Sequence, residues 1–161
     1  MRKQKGFSLI ELLIVVAIIL IIAAIAIPNL LRSRMAANEA SAVGSIRSIN
    51  TSQVTYASTY PDVGFAAALT NLGGTPGGSA TSAAALLLDP VLGCATQPCQ
   101  KSGYNFAIAN TSGTPVVVYE VTGIPVTTGQ TGQRGFFSDA SGVIRYTSDG
   151  TAPTTANSAL Q

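Results

Sequence analysis

The feature that constrains this chain most is an uninterrupted apolar run close to its N-terminus. Residues 12–27 are sixteen consecutive apolar residues, and they follow directly on a single acid, Glu11. A helix of about 20 apolar residues spans the hydrocarbon core of a bilayer, because each residue rises by about 1.5 Å. In water such a helix is stable only where other apolar surfaces cover it. The sequence therefore predicts a membrane-spanning helix over residues 7–27.

Charges beside the run predict its orientation. The first six positions end on Gly6 and hold three basic residues, Arg2, Lys3 and Lys5. Basic flanks favour the cytoplasmic side of a membrane, so we expect the N-terminus to stay in the cytoplasm and the rest of the chain to be translocated. An ordinary signal peptide cleaved near residues 24–26 is the alternative. The apolar run is longer than the usual stretch of about 7–15 residues, however, and Glu11 interrupts its beginning.

Residues 28–60 continue the helical pattern but become amphipathic. Positions on one predicted face recur mostly at steps of three and four: Met35, Ala42, Ile46, Ile49, Gln53, Tyr56 and Tyr60. Pro28 lacks an N–H group and is expected to kink or locally loosen the helix. Tyr60 stands before a proline, which disfavours further helix. The second half of the helix should pack on its own domain, whereas the first half must meet lipid or other subunits.

Residues 61–161 predict a small globular head of short strands and loops. A glycine-rich loop is expected over residues 73–79, and a frayed tail is expected from Thr151 onwards. The predicted elements are a short helix at residues 83–88 and strands at residues 103–108, 115–121, 134–138 and 143–147, with a hairpin turn at residues 139–142. A long helix followed by several strands predicts an α+β fold in which an antiparallel sheet packs on the amphipathic half of the helix.

Composition argues against several functional classes. Only 10% of the residues are charged, and without the three N-terminal basic residues six basic side chains face seven acidic ones. No basic stripe suitable for nucleic acid is present. The chain has no histidine, which removes the commonest general base and metal ligand. The remaining acids are scattered, so we expect no enzymatic activity, no cofactor and no metal site.

Two cysteines, Cys94 and Cys99, are five positions apart. Two thiolates alone cannot complete a tetrahedral zinc site, and this spacing is not the C-x-x-C pattern of redox enzymes. In an exported chain the pair is interpreted as one local disulfide, which would stabilise the fold by about 2 kcal/mol. Two reduced thiols are the alternative if the head stays in the cytosol.

The segment Lys5-Gly6-Phe7-Ser8-Leu9-Ile10-Glu11-Leu12 resembles the processing signal of type IV pilins and type II secretion pseudopilins. That pattern is a short basic leader ending in glycine, an aromatic first mature residue, a glutamate at the fifth mature position and a long apolar helix. Pro28 also falls where these helices commonly carry a proline. The close resemblance covers residues 1–60, while residues 61–161 agree in architecture, so a pilin-like α+β fold is implied.

The resemblance implies roles for four residues. Gly6 would precede the bond cut by a membrane-embedded prepilin peptidase, and Phe7 would become the N-terminus and be N-methylated. Glu11 would support methylation and assembly by pairing with the Phe7 amine of an adjacent subunit, which sets axial register. Pro28 would mark the kink. As alternatives, Glu11 reaches the lipid headgroups or is protonated.

The function implied is that of a structural subunit of a type IV pilus, which serves adhesion, aggregation or twitching-type motility. Its partners would be further copies in a helical filament, the prepilin peptidase, an inner-membrane assembly platform and, before assembly, membrane lipid. The precursor would cross the bacterial inner membrane once, and the filament would be extracellular. A pseudopilin of a type II secretion system is the alternative, and a membrane-anchored binding or enzymatic module is a third.

Overall fold

A computed structural model describes residues 7–160 of the chain. It divides into two compact units, Met1–Arg34 (the N-terminal unit) and Met35–Gln161 (the C-terminal unit). The predicted leader, residues 1–6, lies outside the described residues.

The long predicted helix is present as α1, which spans Leu9–Thr59 and has 51 residues. It continues through Pro28, where the predicted kink remains a prediction. Near its C-terminal end the Tyr60 N–H donates to the carbonyl of Tyr56 at 2.8 Å. Pro61 follows directly, so the expected end of the helix agrees with the structure within one residue.

Within the C-terminal unit, α1 buries one face. The buried positions recur at steps of three and four, as an amphipathic helix requires: Glu39, Ala42, Val43, Ser45, Ile46, Ile49, Ser52, Gln53 and Tyr56. Ala42, Ile46 and Ile49 are completely buried in the same apolar cluster as Tyr104 and Phe106. The amphipathic half of the helix therefore packs against the sheet, and the predicted α+β, pilin-like fold class is confirmed.

The sheet is a five-stranded antiparallel meander in which each strand pairs with the next along the chain. Its strands are β1 (Cys99–Lys101), β2 (Tyr104–Ser112), β3 (Val118–Pro125), β4 (Gly135–Asp139) and β5 (Arg145–Thr147). Alternate residues of β2 are buried, because successive side chains point to opposite faces of the sheet. Opposite Phe106, a Cβ on Gly123 would lie 3.0 Å from that ring and 3.2 Å from Ile46 Cδ1. Glycine here lets the helix approach the sheet.

The predicted short helix at residues 83–88 is wrong. Leu86 has a φ of 57°, which is incompatible with an α-helix, and Leu87 donates its N–H to the carbonyl of Leu72 at 2.8 Å. The segment thus pairs with the chain around α2, a four-residue helix at Leu69–Leu72. Long-range backbone hydrogen bonds override the local leucine-rich pattern there.

Four predicted strands are present with shifted ends, whereas β1 was missed. Its three residues, Cys-Gln-Lys, have no alternating apolar pattern and are held by pairing with β2. The hairpin turn at residues 139–142 joins β4 to β5, and the Gly142 N–H donates to the Asp139 carbonyl at 2.9 Å. Gly142 has a φ of 74°, which favours glycine.

The C-terminal tail is ordered against β5 rather than frayed. The Leu160 N–H donates to the Ile144 carbonyl at 2.7 Å, and the Tyr146 N–H donates to the Ser158 carbonyl at 3.1 Å. Leu160 also packs against the core cluster. These contacts extend the sheet beyond β5, so its outer edge is not left open.

A buried side-chain amide fixes the chain that follows α1. Gln53 is completely buried, its Nε2 donates to the Ala66 carbonyl at 2.9 Å, and its Oε1 accepts the Ala66 N–H at 2.7 Å. This paired contact satisfies both backbone groups of Ala66 where water is absent.

Candidate functional site

The predicted processing site begins at the edge of the described chain. Gly6 lies outside the described residues, so the geometry of the bond between Gly6 and Phe7 is not described. The Phe7 side chain is 82% exposed, and α1 begins two residues later at Leu9. Phe7 therefore lies two residues before the helix and is accessible in the isolated chain.

Glu11 lies in the first turn of α1 and caps its own helix. The backbone N–H of Ser8, the residue before the helix, donates to Glu11 Oε2 at 2.9 Å. The Leu12 N–H donates to the Ser8 carbonyl at 3.2 Å. A serine followed three positions later by a glutamate is the sequence signature of a capping box, and here the glutamate half of that box is formed.

The cap adds an intrachain role for Glu11 to those expected from the sequence. Ser8 was missed, although the Ser-x-x-Glu spacing could have revealed it. A carboxylate at this end also interacts favourably with the partial positive charge of the helix N-terminus. Glu11 is exposed and forms no ion pair within residues 7–160. It thus keeps an accessible carboxylate four residues after Phe7.

The apolar side chains of the N-terminal unit have no covering partner in the described chain. Every large apolar side chain from residue 7 to residue 31 is between 45% and 82% exposed. By length and composition, α1 is able to cross a membrane. Burying one large apolar side chain contributes about 1.5–3 kcal/mol, so this surface requires lipid or other apolar helices around it.

The C-terminal unit contains one buried acid, Glu39, for which the sequence predicted no particular role. Glu39 is 8% exposed, and its Oε1 accepts the backbone N–H groups of Gln133 at 2.9 Å and Arg134 at 3.1 Å. Its Oε2 accepts a hydrogen bond from Arg134 Nε at 2.7 Å. Burial alone would raise the pKa of Glu39, but these hydrogen bonds and the guanidinium charge lower it on balance.

That carboxylate fixes the β3–β4 connection, residues 126–134, to α1. One residue earlier on the helix, Asn38 Nδ2 donates to the Thr131 carbonyl at 2.8 Å. Glu39 is therefore a structural anchor. Its position three residues before buried Ala42 was the only sequence signal for its burial.

Cys94 and Cys99 are joined in a disulfide with an S–S distance of 2.02 Å. Cys99 is buried at the start of β1, and the loop between the two cysteines exposes Ala95, Thr96 and Pro98. Beside this loop, Lys101 Nζ lies 3.0 Å from Asp89 Oδ2. The bridge closes a short surface loop beside the first strand.

Within residues 7–160, no three or more Asp, Glu or Cys side chains come close enough together to hold a metal ion. The buried acid of that region, Glu39, is fully engaged by Gln133 and Arg134, so its carboxylate is not available to a ligand.

The N-terminal segment of the chain is similar to segments of known proteins. Residues 1–27 match the family model of the prokaryotic N-terminal methylation motif. The N-terminal segment of the chain is also similar to those of two type IV pilins. It is 67% identical over 39 residues to the type IV wide pilus major component PilA4 of Thermus thermophilus. It is 43% identical over 54 residues to the type IV major pilin protein PilA of Myxococcus xanthus.

These pilin matches are partial. The first covers 24% of this chain and 30% of the Thermus protein, and the second covers 34% of this chain and 24% of the Myxococcus protein. The chain thus aligns with less than a third of either relative's length. No solved structure matches it. The predicted resemblance to type IV pilins is confirmed.

Proposed function

We propose that this chain is a structural subunit of a type IV pilus filament and not an enzyme. The methylation motif at residues 1–27 supports this proposal, as do two relatives named as major pilus components. The observation that carries it is the exposed apolar surface of residues 7–31, which only lipid or neighbouring helices can cover. Helices of successive copies would form the filament core.

In this proposal the precursor, with leader residues 1–6, crosses the inner membrane through residues 7–27 and keeps its N-terminus in the cytoplasm. The prepilin peptidase cuts between Gly6 and Phe7 and methylates the new Phe7 amine. An inner-membrane assembly platform then moves the helix from lipid into the extracellular filament. Residues 28–60 join the anchor to the head, residues 61–161, which would mediate adhesion, aggregation or twitching-type motility.

Glu11 would supply the register of the filament. A carboxylate inside a bilayer costs about 2.5–3.5 kcal/mol at the helix centre and less near an interface. The amine of Phe7 on an adjacent subunit would offset that cost. In the isolated chain, one oxygen of Glu11 accepts only a backbone N–H, from Ser8. Replacing the Ser8 contact with an ion pair to that amine would stabilise the assembled subunit relative to the free one.

Two substitutions separate charge pairing from capping. Glu11→Gln keeps an oxygen that can accept the Ser8 N–H but removes the charge, whereas Glu11→Leu removes both. If pairing with the Phe7 amine sets register, both variants lose filaments. Loss of one partner of a desolvated pair costs about 3–5 kcal/mol, which predicts a reduction of roughly a hundredfold or more. Asp62→Asn, which removes an exposed acid elsewhere, should assemble normally.

Filaments sheared from cells and counted by electron microscopy provide the measurement. Normal filaments from Glu11→Gln with none from Glu11→Leu would reduce the role of Glu11 to capping. Normal filaments from both would refute the register proposal. Mass spectrometry of the sheared filaments should find a mature chain that begins at methylated Phe7. Cells that show no surface fibres but lose protein secretion when the chain is deleted would favour the alternative, a type II secretion pseudopilin.

A further inference from the structure

Two arginines follow the apolar surface of the N-terminal unit. Arg32 and Arg34 are both exposed on α1, and neither forms an ion pair with any residue in the described part of the chain. Arg32 directly follows Leu30 and Leu31, whose side chains are 68% and 49% exposed, and Arg34 lies two residues further on. The helix thus changes within a few residues from a surface that requires an apolar environment to one that carries two unpaired positive charges.

The spacing of charges along the helix matches the thickness of a bilayer. Residues 12–31 contain no charged side chain, and this stretch is bounded by Glu11 and Arg32. These twenty residues span about 30 Å of helix axis, which is about the thickness of the hydrocarbon core. When Glu11 lies at one membrane interface, the arginines therefore reach the phosphate layer on the other side.

The positions of the arginines around the helix indicate what surrounds them. Residues two apart on an α-helix project about 200° apart, so Arg32 and Arg34 lie on nearly opposite sides of α1. One flat protein surface cannot contact both. A layer of lipid headgroups encloses the helix on all sides, and a guanidinium group binds phosphate oxygens with two parallel hydrogen bonds.

We propose that Arg32 and Arg34 bind headgroup phosphates on the translocated side of the membrane and set the depth of the helix before assembly. This rests on the proposed function in so far as the helix must reside in a bilayer. The basic residues of the leader, Arg2, Lys3 and Lys5, anchor the opposite end. Removal of the leader would leave the Phe7 amine at that end and the two arginines as the remaining basic side chains beside the apolar segment.

The absence of tryptophan from the chain allows a direct measurement of depth. Leu30→Trp introduces a single indole next to the arginines, which can be excited at wavelengths where the five tyrosines do not absorb. The full chain is reconstituted in phosphatidylglycerol vesicles, and depth is measured by quenching with lipids brominated at different positions along their acyl chains. With both arginines present, the introduced indole should lie at the headgroup boundary. When Arg32→Gln and Arg34→Gln are added, it should move toward the bilayer centre by about one helical turn, ~5 Å.

Two matched variants serve as controls. Arg47→Gln removes an exposed arginine in the C-terminal unit and should leave the depth unchanged. Arg32→Lys/Arg34→Lys keeps the charge and should retain most of the depth measured with both arginines. An unchanged depth after the glutamine substitutions overturns the proposal. If depth is unchanged but the same variant forms no filaments, the arginines contact neighbouring subunits instead.

The vesicle measurement requires neither cleavage nor polymerisation. A depth shift in a chain that never forms filaments would therefore support the lipid contact while refuting the proposed function. Normal filaments without a depth shift would support the proposed function and refute the lipid contact. If the indole of the Leu30→Trp chain with both arginines is quenched only from the aqueous phase, the helix does not enter the bilayer, and both proposals fail.

Discussion

The Glu39 anchor predicts a measurable loss of stability when its charge is removed. Glu39 accepts three hydrogen bonds from the β3–β4 connection, two from backbone N–H groups and one from Arg134 Nε. In Glu39→Gln the remaining oxygen can still accept the backbone groups of Gln133 and Arg134. The new NH₂ group would face the guanidinium group, so a donor would meet a donor.

The expected magnitude follows from this geometry. A hydrogen bond to a charged group contributes about 1.5–3 kcal/mol when both partners are shielded. Solvent reaches Arg134, whose side chain is 39% exposed, whereas that of Glu39 is 10% exposed, so the lower part of this range applies. We expect Glu39→Gln to lower the free energy of unfolding by about 2 kcal/mol. For a unit of this size that corresponds to a Tm lower by about 6–10 °C.

Thermal unfolding of the full chain in detergent, followed by near-UV circular dichroism of the tyrosines, measures this difference. Near-UV signals report packed side chains and not helix content, so they monitor the C-terminal unit. Asp62→Asn removes an acid that is exposed and outside the described ion pairs, and should unfold like wild type. An unchanged Tm for Glu39→Gln would refute the argument that this carboxylate anchors the β3–β4 connection.

Three further predictions concern the same unit. Hydrogen bonds from Gln133 and Arg134 and the Arg134 charge outweigh burial and hold the folded pKa of Glu39 below its ordinary value. The stability that Glu39 contributes is therefore present above the unfolded pKa and is lost as pH falls through the folded pKa, so acid titration of unfolding should be less steep in Glu39→Gln. Gln53→Leu leaves both backbone groups of Ala66 unpaired and should cost about 2–4 kcal/mol in chemical denaturation, whereas exposed Val54→Ala should cost under about 0.5 kcal/mol. Reduction of the disulfide should lower the unfolding free energy by about 2 kcal/mol, whereas equal stability with and without reductant would contradict the loop-closure reasoning.

The parts of the fold that depend on local pattern were predictable from the sequence. The apolar run and the stripe that follows it gave the extent of α1 to within two residues at each end. Most strands could be located because alternation and turn residues are local signals. The end residues of β2 and β3 could not, since ladder pairing and not composition decides where a strand stops.

The elements that were missed depend on partners far away in the chain. The leucines of residues 86–88 resemble a helix locally, but the chain there hydrogen-bonds to α2. Glu39 is buried because Arg134, 95 positions later, reaches it. No pattern in residues near Glu39 specifies that partner. The Ser8 cap is different, because its spacing to Glu11 is local and could have been recognised from sequence.

The two acids of α1 show that one half of the helix finds its partners within its own chain and the other half does not. Glu39 receives three hydrogen bonds from its own chain, whereas Glu11 receives one, from the Ser8 backbone. Breaking a single hydrogen bond of this kind costs about 1.5–3 kcal/mol, which a charged amine in a low-dielectric site can offset. Under the proposed function, the cap is therefore a resting contact that satisfies Glu11 until a neighbouring Phe7 amine replaces it. The apolar side chains around Glu11 would likewise change partners on assembly, because lipid covers them until other subunits do.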